Sequence, residues 1–207
     1  MTGRFITLEG GEGVGKTTQL RALAAALSNR GYKVITTREP GGSAGAEAIR
    51  DLVMNGSQDR WSAQSEALLF AAARADHVER VIRPALERGE WVLCDRFIDS
   101  TRAYQGGAGG LDDSDIMALH RVGSDGLMPD RTLVLSLSEA QALARARARD
   151  GNQSDRFGDK NFSYHQRVSA AFEHFSATDP DRVRLVSAVG DAEQVTQRLL
   201  AQLSDLL

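Results

Sequence analysis

The sequence predicts an α/β fold, three layers deep, with helices on both sides of a five-stranded parallel sheet and a small lid. Three observations predict it. Five short apolar runs, at 5–8, 34–37, 91–94, 132–137 and 183–186, alternate with helical stretches, which pairs strands in parallel through right-handed crossovers. The first run leads into a glycine-rich loop, GGEGVGKT at 10–17, and then into a stretch with Leu20, Leu23, Ala24 and Leu27 on one helical face. Strand, glycine loop and helix in that order build a phosphate-binding turn. The length, 207 residues, suits a single domain spanning 1–207 and buries a full core.

In order, the first helix is expected to close at Gly31, a residue suited to a left-handed cap. A second helix is expected from Ala44 to Met54. A long helical stretch runs from Ser62 to about Arg88, bent or divided near Pro84. Ser138 and Gln141 resemble a capping box that opens a helix from Ala142 to Arg149. Residues 150–161 are polar and rich in glycine and charge, so they read as a mobile lid. Helices at 162–176 and 191–206 complete the chain.

The loop defines the chemistry. It fits G-x-x-x-x-G-K-[ST], the signature of a P-loop NTPase fold, with Gly10, Gly15, Lys16 and Thr17 at the fixed positions. Gly10, Gly11, Gly13 and Gly15 let backbone N–H groups turn into one concavity for phosphate oxygens, with Glu12 and Val14 between them and Thr18 just beyond. The helix N-terminus adds partial positive charge. Lys16 reaches the β and γ phosphates of a nucleoside triphosphate, and the Thr17 hydroxyl is placed to ligate Mg²⁺. Asp95, ending an apolar strand, can hold the same metal's water shell. Ligands of open parallel sheets sit at the carboxyl ends of the strands. Arg38 and Arg96 fall there, and Arg74 shares a helical face with Phe70, so three arginines are expected around a second anion. Arg145, Arg147 and Arg149 precede the lid and Arg156 lies in it. Arg149 and Arg156 are read as cations carried to the transferred phosphate by closure.

Composition narrows the classes. The net charge is −3, which argues against general nucleic-acid binding. The single cysteine, Cys94, excludes an intramolecular disulfide and sits in a strand as a packing residue. No apolar run is long enough for a membrane span, so a cytoplasmic enzyme is expected.

Several segments together resemble the thymidylate kinases, nucleoside monophosphate kinases that make dTDP from dTMP and ATP. They are LEGGEGVGKTT at 8–18, TREPGG at 37–42, LLFAAAR at 68–74, CDRFIDSTRAYQGG at 94–107, MPDRTLVLSLS at 128–138, and RARARD followed by DRF in the lid. The resemblance implies roles for individual residues. Glu12 accepts from the 3′-hydroxyl of dTMP, and Phe70 stacks on thymine. Arg74, Ser100, Thr101 and Gln105 hydrogen-bond the base. Arg38 and Arg96 clamp the acceptor phosphate, Tyr104 crowds the sugar 2′ position, and Asp95 lies at the acceptor and metal side. Gly13 follows Glu12, so the loop lacks an extra cation, and the chain resembles the bacterial type that keeps its catalytic arginines in the lid. The stretch between Arg149 and Arg156 is longer than expected, which leaves open which of them reaches the phosphate. The resemblance also implies a homodimer. Another deoxynucleoside monophosphate as acceptor, or a nucleotide-driven switch without an acceptor, are the alternatives from the residues alone.

Overall fold

The computed structural model describes residues 3–57, 59–137, 141, 156–158 and 160–207. The elements run β1 (Phe5–Glu9), α1 (Lys16–Ser28), β2 (Val34–Arg38), α2 (Ala44–Met54), α3 (Ala63–His77), a π-helical turn (Val78–Ile82), α4 (Arg83–Glu87) and β3 (Trp91–Asp95). They continue with α5 (Ile98–Thr101), a second π-helical turn (Arg102–Ala108), α6 (Asp113–Ser124), β4 (Arg131–Ser136), α7 (Phe162–Thr178), β5 (Val183–Ser187) and α8 (Ala192–Ala201). The five strands form one parallel sheet in the order β2-β3-β1-β4-β5. The central strand β1 is buried along its whole length, as expected where helices cover both faces.

Alternation along the strands divides the core. Ile6 and Leu8 face one side, where Leu20, Leu23 and Leu27 of α1 and Val195, Leu199 and Leu200 of α8 pack with Leu93, Leu133 and Leu135. Phe5, Val92 and Cys94 face the other side and meet Val78, Ile82, Ala85, Phe97, Ile98 and Ile116. A third cluster joins Val134 and Val183 to Val168, Phe172 and Phe175 of α7 and to Tyr104 and Phe157.

Local chemistry starts the helices. Ser43, Ser62 and Asn161 each accept a hydrogen bond from the first turn of α2, α3 and α7, and Asp191 with Gln194 forms a full capping box on α8. Gly31, at φ +89°, takes the left-handed conformation expected of it, three residues past the end of α1. The division of the long helix comes earlier than Pro84. The Arg83 N–H donates to Val78 O, five residues back, so a widened turn absorbs the missing proline donor and the chain stays helical on both sides. Helices α5 and α6 were not expected. The segment expected to be helical from Ala142 to Arg149, with the proposed cap Ser138, lies outside the described residues.

Candidate functional site

The glycine loop is built by backbone geometry. Gly10 and Gly15 adopt φ of +127° and +97°, and a Cβ on Gly10 would lie 2.4 Å from the carbonyl oxygen of Leu135 on β4. Only glycine meets both the conformation and the close approach. The loop enters α1 through Gly15 with no side-chain cap, so the amides there stay available to an anion. Lys16 folds over the loop, its Nζ donating to the carbonyls of Gly10 at 3.1 Å and Gly11 at 2.8 Å. Burial, and then Arg96, lower its pKa from the ordinary lysine value. The Thr17 hydroxyl donates to Asp95 Oδ2 at 2.9 Å. A hydroxyl and a carboxylate therefore sit together at the end of the loop, a hard oxygen pair of the kind Mg²⁺ takes alongside phosphate and water. Among the described residues no cluster of three or more His, Cys, Asp or Glu side chains forms a separate metal cage.

A cavity of about 280 Å³ extends from this loop across the carboxyl ends of β2 and β3. Glu12, Lys16, Thr17 and Asp95 line its phosphate end, and Phe70, Arg74, Thr101 and Gln105 line the far end, with Arg96, Ser100 and Tyr104 also in the wall and Arg38 among the lining. The crossovers thus bring together residues scattered over nearly a hundred positions of sequence.

Each arginine of the expected anion clamp has a carboxylate partner. Arg38 is largely exposed and pairs with Glu47 at 3.0 Å, a surface ion pair in this state. Arg74 is buried, with Nε on Glu39 Oε2 at 2.8 Å and Nη2 on the Thr101 hydroxyl at 2.9 Å. The other oxygen of Glu39 meets His77 Nδ1 at 3.1 Å, and His77 Nε2 meets the Thr37 hydroxyl at 2.6 Å. Arg74 is therefore fixed by a chain of buried polar groups. Arg96 is a left-handed residue, φ +70°. It pairs with Glu12, donates to Gly10 O and Ser100 Oγ, and lies 5.1 Å over the Tyr104 ring. Burial pushes the Tyr104 hydroxyl up to about 12.

Beneath Arg96 lies Glu9, fully buried, accepting from the Phe97 N–H at 2.7 Å and from the Ser100 hydroxyl at 2.5 Å. Burial, and next the charge of Asp99, push its carboxyl up to about 8. Cys94 is buried with a thiol pushed well up by that burial, in keeping with an inert packing residue.

Two lid arginines carried the expected catalytic charge. Arg149 lies outside the described residues, as do Arg145 and Arg147. Arg156 is among the described residues. It is buried and does not line the cavity. Its guanidinium donates to Val53 O and Ser57 O at the end of α2 and to Glu66 Oε1 on α3. Buried arginine seeks acceptors that cancel its desolvation, and Val53 on α2, Ser57 in the loop after it and Glu66 on α3 supply three.

The sequence reading missed Glu39, Pro40, Arg50, Met54, Phe97 and Phe157, which also line the cavity. Glu39 and Pro40 lie inside TREPGG and could have been named with Arg38. Arg50 and Met54 share a helical face of α2, but no sequence signal says that this face meets the site. Phe157 follows Arg156 and stacks near Phe70, ring centres 5.8 Å apart.

A parallel sheet whose first turn cradles phosphate and whose neighbouring strand ends wall a second compartment defines a P-loop nucleotide-binding protein of the monophosphate kinase kind. The family model described as thymidylate kinase matches residues 8–199. The chain is 57% identical over 207 residues to the thymidylate kinase of Rhizorhabdus wittichii, covering 100% of both chains. It is 50% identical over 205 residues to that of Caulobacter vibrioides, covering 99% of this chain and 96% of the other. A crystal structure of thymidylate kinase from Ehrlichia chaffeensis superposes with a TM-score of 0.80 at 31% identity, covering 98% of this chain and 100% of that one. The chain belongs to the thymidylate kinase family.

Proposed function

We propose that the chain transfers the γ-phosphoryl group of ATP to dTMP, giving dTDP and ADP. The observation that carries this reading is the single cavity that joins the Lys16 and Thr17 cradle to a compartment walled by Phe70, Arg74 and Gln105. A switch protein has no use for that second compartment. The acceptor is a phosphate monoester, so the chain's task is to align two anions and neutralise their charge.

In this reading the amides of 10–15 and Lys16 hold the donor phosphates, with Thr18 close behind. Phe70 stacks on the acceptor base, and Arg74, Ser100, Thr101 and Gln105 address its edge. Arg38 and Arg96 exchange their carboxylate partners for the acceptor phosphate, which frees Glu12 for the 3′-hydroxyl. Tyr104 closes the space a 2′-hydroxyl needs. Thr17 and Asp95 would hold Mg²⁺, which would supply charge neutralisation for the donor phosphates. Arg149 is the remaining lid arginine proposed to reach the transferred group. One domain spanning 1–207, with the lid at about 150–161, works as a homodimer in the cytoplasm. Leu68 on α3 and Val122 on α6, helices that pack together, are exposed apolar residues that support a partner surface. No helix among the described residues is long and apolar enough to cross a membrane.

An ADP-release assay with ATP, Mg²⁺ and dTMP, dCMP, dAMP or dGMP as acceptor tests the reading. Turnover with dTMP well above the others is expected. Failure to phosphorylate dTMP, or equal use of all four, overturns it.

A further inference from the structure

Glu66 lies under the base end of the cavity, 5% exposed, and each of its oxygens has one firm donor. Oε1 takes Arg156 Nη2 at 2.7 Å, and Oε2 takes Gln105 Nε2 at 2.9 Å. Arg156 and Gln105 are themselves 3% and 1% exposed. Arg156 is pinned from behind by Val53 O and Ser57 O, both at 3.0 Å. Its neighbour Phe157 stands in the cavity wall against Phe70 and Tyr104.

We infer that Arg156 and Glu66 are positioning residues for acceptor-base selection, acting through the side-chain amide of Gln105. The inference rests on the function proposed above and assigns Arg156 a task apart from phosphoryl transfer. The argument is one of donors and acceptors. A carboxylate already facing a guanidinium offers only acceptors. The amide of Gln105 must therefore turn its nitrogen toward Glu66, which leaves its carbonyl oxygen for the cavity. That oxygen accepts from a base with a ring N3–H, as in thymine and uracil. Cytosine presents a lone pair at the same position, and two facing acceptors repel. Arg156 holds Glu66 in place and, through the chain, Phe157 in the wall, so the lid's far end and the base compartment are one construction.

The test uses the full-length chain with ATP and Mg²⁺ and compares dTMP, dUMP and dCMP. The wild type's use of dTMP decides the proposed function; the variants decide this inference. Glu66→Gln removes the acceptor-only constraint and lets the Gln105 amide turn. Its KM for dTMP is expected to rise about tenfold, with kcat and the KM for ATP little changed. The preference for dTMP over dCMP falls, while that for dTMP over dUMP stays, because both carry N3–H. Arg156→Ala follows the same pattern, and Arg156→Lys, which keeps a cation beside Glu66, retains the preference for dTMP over dCMP and folds if Glu66→Gln does not. A loss of kcat of a hundredfold or more in Arg156→Lys, with the KM for dTMP unchanged, makes Arg156 a phosphoryl-transfer cation and overturns the inference. An unchanged dTMP-to-dCMP ratio in folded Glu66→Gln or Arg156→Ala overturns it as well.

Discussion

Lys16 is held over the loop by two carbonyls, so its ammonium is placed there before phosphate arrives, although burial and Arg96 lower its pKa. Phosphate oxygens are stronger partners than those carbonyls, and most of the gain falls where charge builds during transfer. Lys16→Ala is expected to lower kcat by an amount on the order of 3 kcal/mol. Near-normal turnover would refute the role. Glu9 gives a prediction in pH. Its folded pKa of about 8 lies above its ordinary 4.5, so the folded chain binds this proton more tightly than the unfolded one. The stability it contributes is complete at low pH and is lost as pH rises through that window. Thermal melts between about pH 5 and pH 9 should show wild type losing stability relative to Glu9→Gln; parallel curves would place the carboxyl elsewhere. At this scale the loop residues were legible, because motif spacing alone fixes a backbone cradle. Arg156 was not: a cation in a polar stretch looks mobile until Glu66, 90 residues earlier, is found facing it.

Elements were legible where their periodicity was apolar. The five strands and α1, α2 and α7 announce themselves in that way. Helix α6 does not, since the residues on its buried stripe are Ile116, His120 and Ser124, two of them polar, and Val122 points outward at 84% exposure. The turn at 102–108 contains Gly106 and Gly107, poor helix formers, yet it forms a π-helical turn packed on α7. Tertiary contact overrode local preference in both. Helix α8 is the opposite case, specified by its own cap. Asp191 accepts from the Gln194 N–H at 2.8 Å, and Gln194 Oε1 accepts from the Asp191 N–H at 3.3 Å. Asp191→Ala should cost about 1 kcal/mol, seen as a lower midpoint in denaturant unfolding with an unchanged slope. No shift in midpoint would show that packing on α1 alone holds the helix.

Across the whole molecule, Asp99 ties the helical layer to the sheet. It is buried on α5 and meets Arg182 at 2.6 Å, Arg102 at 2.9 Å and the Thr132 hydroxyl at 2.9 Å. Burial pushes its carboxyl up, but the two guanidinium groups and the hydroxyl together hold it below the ordinary value. Asp99→Ala leaves two arginines without their shared acceptor and should cost about 3–5 kcal/mol, a large part of a domain's stability; a midpoint within experimental error of wild type would show that Asp113, which also pairs with Arg102, and Asp179, which also pairs with Arg182, suffice. The sequence by itself determined the α/β class, the phosphate cradle and the segments that meet around the cavity beside it. These follow from strand periodicity, from glycine's freedom at fixed spacing, and from the rule that parallel strands end on one edge. Only the tertiary structure decided which carboxylate each arginine meets, that Phe157 stands in the cavity wall, and that Arg156 turns inward. Those outcomes depend on contacts between residues far apart in the chain, and no local pattern encodes the distance between two side chains that meet only after the sheet has formed.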